Sequence, residues 1–160
     1  MIQEGQPAPS FRAPSSKGHT LESESFQDRL AVVLFFLDGL EHPDDQLALS
    51  NFDEVLVEFG HRRVQLLGVA PATARELREA TESLAVPLLA DKDGSLRREF
   101  GGLDIAPFTV VIDRHGTVAR VLPRYGTDHA REVLTAVDAL LSSEPDAMRA
   151  KPEASAERSS

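Results

Sequence analysis

The chain contains no cysteine in 160 residues. That absence excludes disulfides, thiolate metal sites and thiol catalysis within this chain. Met1 and Met148 carry its only sulfur atoms, so any oxidation is expected to be stoichiometric rather than catalytic. Basic residues are also short: 17 Lys and Arg face 26 Asp and Glu, for a net charge of −9. A nucleic-acid binder needs a basic face to neutralise phosphates, and an anionic membrane surface makes the same demand. Neither partner is expected, and the charge reads as a source of solubility. No apolar run approaches the ~20 residues that span a bilayer. The opening "MIQEGQPAPSF" has no basic segment followed by an apolar one, and cytoplasmic residence is the expectation.

What is present is ordinary for one globular domain, with 41% hydrophobic and 27% charged residues. The first thirty residues read as short extended pieces around a Lys17–Gly18 turn. "AVVLFFL" (31–37) and "VQLLGVA" (64–70) are continuous apolar runs, as expected of strands buried on both faces. Between them, apolar residues at Leu47, Phe52, Val55, Leu56 and Phe59 follow helical spacing from Pro43 to near Gly60. "TARELREATESL" (73–84) places Ala74, Leu77, Ala80 and Leu84 on one helix face. "VPLLADKDG" gives a short extended piece and a turn, and "SLRREFGG" a short helix closed by glycine. "FTVVID" (108–113) and "TVARVLP" (117–123) form a hairpin. "DHAREVLTAVDALL" is an amphipathic helix capped by Thr127 or Asp128.

A βαβ half followed by a ββα half is the thioredoxin arrangement: an α/β fold, a three-layer α/β/α sandwich with a mixed central sheet. The domain is placed at residues 1–142. Residues 143–160 are small, polar and aperiodic and are expected to be a disordered tail, removable without lowering the melting temperature.

Three stretches carry a family resemblance. "EGQPAPSFRAPSSKGHTLESESFQDRLAVVLFF" resembles the Gly-x-x-Ala-Pro-x-Phe segment and following strand with which peroxiredoxins of the alkyl hydroperoxide reductase/thiol-specific antioxidant family begin. "VPLLADKDGSLRREFG" is similar to their Phe-x-Leu-Leu-x-Asp-x-x-Gly stretch, and "PFTVVIDRHGTV" to their Thr-Phe-x-Ile-Asp-x-x-Gly strand and turn. The similarity runs from position 4 to about 141. It implies the thioredoxin-like sandwich with a peroxiredoxin-type N-terminal extension, and a Thr-Pro-x-Cys active-site loop after the first long strand. That motif falls on "HPDD", with His42 for the threonine, Pro43 for the proline and Asp45 for the peroxidatic cysteine. The resolving cysteine of some members falls on Ser50. The family's arginine before the "TVVID"-like strand falls on Pro107, which resembles instead the cis-proline beside the active site of thioredoxins.

A peroxidatic thiolate attacks the O–O bond, and its sulfur accepts the oxygen. A carboxylate at Asp45 can share the helix-dipole stabilisation but cannot be oxidised to a sulfenic acid. The expectation is therefore a redox-inactive relative, with no catalytic residue and no cofactor, acting as a binding or regulatory module or a non-catalytic subunit. The alternatives are an oxidoreductase whose cysteine comes from a partner, and a small-ligand or metal binder in the vacated pocket. Homodimerisation, or association with a cysteine-containing relative, is implied by the resemblance alone. Read without it, Asp44 and Asp45 are first-turn helix acids. The resemblance likewise puts Asp45 in the first turn of that helix, and Asp45→Asn is expected to cost about 1 kcal/mol or less. Glu41, His42, Asp44 and Asp45 lack the spacing of a closed metal site. Ser50 is expected to face solvent or bond back to its helix. Arg97–Arg98 reads as a solvated helix face, with an anion site as the alternative. Arg120 and Arg124 are the candidates for a replacement cation.

Overall fold

In the computed structural model, which describes residues 2–101, 107–124 and 127–143, the sandwich is present with its expected element order. A small hairpin of β1 (Arg12–Pro14) and β2 (Thr20–Glu22) precedes the main sheet. The sheet comprises β3 (Ala31–Phe36), β4 (Val64–Ala70), β5 (Leu88–Ala90), β6 (Phe108–Ile112) and β7 (Val118–Pro123), in the order β5-β4-β3-β6-β7. The β3–β4 and β4–β5 pairs are parallel, whereas β3–β6 and β6–β7 are antiparallel. β3 is central and all six of its residues are buried, which is why it reads as an unbroken apolar run.

The pleat divides β3 between two cores. Ala31, Val33 and Phe35 pack with Phe52, Phe59, Leu77, Val133 and Val137 on one face. Val32, Leu34 and Phe36 pack with Phe11, Leu96, Phe100 and Phe108 on the other. The helices are α1 (Pro43–Glu54), α2 (Leu56–His61), α3 (Ala74–Ala80), α4 (Ser95–Phe100) and α5 (His129–Ser143). The second core is covered by α4 and the N-terminal segment; the first is covered by the other helices.

Two helices differ from the expectation. The single helix from Pro43 to Gly60 is broken at Val55, whose amide turns back to Phe52 O at 3.2 Å. The helix expected over 73–84 ends at Ala80. Thr73 starts it with a reciprocal capping box to Glu76, and the Thr81 hydroxyl bonds back to Leu77 O at its end. Leu84 lies beyond that helix yet still packs against the first core. Of the expected tail, Ser143 is the last residue of α5 and the rest falls outside the described residues.

Candidate active-site loop

After β3 the chain leaves the sheet at Leu37, whose amide still bonds to Val69 O, and turns through Asp38 and Gly39. The turn is tight. A Cβ on Gly39 would come within 2.9 Å of the His42 ring, so a side chain here would have to displace that exposed ring. His42 is the N-cap of α1 and is exposed; Pro43 sits in the first helical position, where its missing N–H costs nothing.

Asp45 lies in the first turn of α1 and is 1% exposed. Its first-turn position is as expected, and its carboxylate is directed back into the turn that precedes the helix. Asp45 Oδ2 accepts the backbone amides of Asp38 and Gly39 at 2.8 and 2.9 Å, and Oδ1 accepts Arg124 Nη2 at 2.5 Å. Arg124 follows the last residue of β7, and its own amide donates to Pro107 O at 3.0 Å. The guanidinium therefore arrives one strand over from Pro107. Arg120 does not take part; it faces Glu4 at 3.6 Å.

Arg97 is a correction. It is 7% exposed rather than part of a solvated face, while Arg98 is exposed. Arg97 Nη1 donates to Asp38 Oδ1 at 2.6 Å and to Leu37 O at 3.2 Å, and its guanidinium lies 6.0 Å from the Phe108 ring. The sequence contained one usable sign: Arg97 occupies an apolar helix face with Leu96 and Phe100 close by, where a charge must find a partner.

A polar pocket of about 450 Å³ opens beside the pair, lined in part by His42, Pro43, Asp45, Asn51, Pro107 and Arg124. Ser50 is exposed on α1 and does not line it. The cis expectation for Pro107 involves residue 106 and so falls outside the described residues. His129, at the start of α5, also lines the pocket and was not anticipated. Its Nε2 lies 2.7 Å from Thr109 Oγ1, while Nδ1 is buried without a hydrogen-bond partner and 3.7 Å from Glu132. Burial chiefly pushes the His129 pKa below its usual 6.5; nearby Glu132 works against this, and Arg124 adds to it. Among the described residues no group of three His, Asp or Glu side chains is placed to hold a metal ion. Nor, among them, is any helix long and apolar enough to cross a membrane.

Residues 4–121 match the model of the AhpC/TSA family. No curated protein matches the chain at a significant level. Among solved structures, the peroxidoxin BcpB of Mycobacterium tuberculosis is 23% identical, with a TM-score of 0.79 over 88% of this chain and 99% of that one. PrxQ of Xylella fastidiosa, solved as a cysteine-to-serine mutant, is 18% identical with a TM-score of 0.80, covering 88% and 98%. The bacterioferritin comigratory protein of Xanthomonas campestris is 21% identical with a TM-score of 0.74, covering 81% and 91%. At these identities the likeness establishes the thioredoxin-like peroxiredoxin fold.

Proposed function

The chain belongs to the AhpC/TSA family, and we propose that it is a redox-inactive member, acting as a binding or regulatory subunit rather than a peroxidase. The observation that carries this reading is the state of Asp45. Where the family motif places a sulfur, this chain has a buried carboxylate with two backbone amides and an arginine bonded to it. Peroxide reduction needs a nucleophile that breaks the O–O bond and keeps one oxygen, with the sulfur then returned by a thiol. A carboxylate has no such oxidation cycle, and the chain has no cysteine to supply one. Asp45 instead acts as a permanent anion, holding the loop in the state that an ionised or oxidised sulfur would favour.

Leu47 favours an associating role. It is 45% exposed on α1 at the rim of the pocket, one of few large apolar side chains left uncovered among the described residues. A homodimer or a cysteine-containing relative would cover it. The test is direct. Purified protein is given hydrogen peroxide or an organic hydroperoxide, with thioredoxin or dithiothreitol as reductant. No turnover above a metal-free buffer control is expected, and clear turnover overturns the reading. Recovery of a cysteine-containing relative under non-reducing conditions would move the chemistry to a partner.

A further inference from the structure

The turn after β3 and the end of β7 converge on one carboxylate. Two consecutive amides, Asp38 N and Gly39 N, donate to the same oxygen of Asp45, and Arg124 donates to the other. Consecutive N–H groups aimed at one point form an anion-binding concavity, and a guanidinium opposite them adds charge-assisted bonding. The turn is held in that shape from behind. Arg97 grips both the Leu37 carbonyl and the Asp38 carboxylate, immediately before the two amides. The exposed His42 ring lies beside Gly39.

We infer that the Leu37–Gly39 turn, Arg97 and Arg124 form a preorganised site for a small monocarboxylate, with the Asp45 side chain as its built-in ligand. The tether keeps that carboxylate at a high effective concentration, so the native chain is closed to outside anions. It also latches the first turn of α1 to β3 and β7, since opening the loop must break all three bonds. Arg97 is a positioning residue: it touches the turn and not the bound carboxylate. This inference goes beyond the loss of redox chemistry, because it assigns a ligand class and holds whatever the protein does with peroxide.

The test is to shorten the tether. Asp45→Ala removes a carboxylate and leaves a hole matched to formate; Asp45→Gly removes one carbon more and matches acetate. Melting temperature and heat of binding are followed against sodium formate or acetate, with sodium chloride at equal ionic strength as control. Formate should raise the melting temperature of Asp45→Ala saturably and shift the Asp38 and Gly39 amide resonances, while wild type shows no formate-specific change. Adding Arg124→Met or Arg97→Met to Asp45→Ala should weaken formate binding by about tenfold or more. If Asp45→Ala is unfolded in plain buffer, the same titration is read as recovery of far-UV circular dichroism. Formate acting no differently from chloride, in melting or in recovery, overturns the site, as does a response that survives Arg124→Met. Peroxide turnover by wild type would overturn the redox-inactive reading and leave the carboxylate site standing. A silent formate titration does the reverse.

Discussion

Asp45 and Arg124, 79 positions apart, meet at 2.5 Å, with the Asp45 side chain 2% and the Arg124 side chain 12% exposed. A pair this dry differs from a surface salt bridge. Its attraction is little screened, and either partner left alone is a buried charge without a counterion.

Removing the cation should therefore be costly. Arg124→Met is expected to destabilise the protein by about 3 kcal/mol, because Asp45 stays buried with only its two amide partners. Asp45→Asn is expected to cost roughly 2–3 kcal/mol, more than the first-turn reading allowed, because it unpairs Arg124 and turns an amide NH₂ toward donors. Urea unfolding of both variants and their double mutant measures the coupling. Additive effects would show that the two side chains do not depend on each other.

Arg97 should behave as a second buried charge rather than a surface one. Arg97→Met is expected to lose about 2–3 kcal/mol and Arg98→Met less than about 0.5 kcal/mol, although the residues are adjacent. Equal, small losses in chemical denaturation would return Arg97 to the solvated face.

His129 should make the fold acid-sensitive. Burial depresses its pKa in the folded state below the usual 6.5. The unfolded chain therefore takes up the proton first as pH falls. The stability due to the neutral ring is fully present above pH 6.5 and drains away below it. As pH falls below about 6.5, wild type should lose stability more steeply than His129→Gln, which keeps a hydrogen-bonding group near Thr109 but cannot charge. Parallel pH profiles for the two proteins would remove His129 from the account.

Gly68 should resist even the smallest side chain. A Cβ there would lie 2.8 Å from Phe35 Cζ and 2.9 Å from Leu88 Cγ. Phe35 cannot swing away freely, because it stacks on Phe52 at 4.1 Å between ring centroids. Gly68→Ala is expected to cost about 1–3 kcal/mol by overpacking. A melting temperature within a degree of wild type would mean that the ring has room to move.

The sequence by itself determined the architecture, because architecture follows from local pattern. The run from Ala31 to Phe36 is apolar at every position because both faces of β3 are covered. The periodic face of α5 is explicit in Ala130, Val133, Leu134 and Val137. The absence of cysteine excludes thiol chemistry within the chain whatever its fold. Tertiary structure decided what the charged residues do. Only the neighbouring Leu96 and Phe100 set Arg97 apart from Arg98, and nothing local separates Asp45 from Asp44, yet one of each pair is buried and the other exposed. The partner of Arg97 is 59 positions away and that of Asp45 is 79. Spacing along a chain reports which face of a helix or strand a residue occupies. It says nothing of which distant strand end will arrive opposite it, and a buried charge is defined by that arrival.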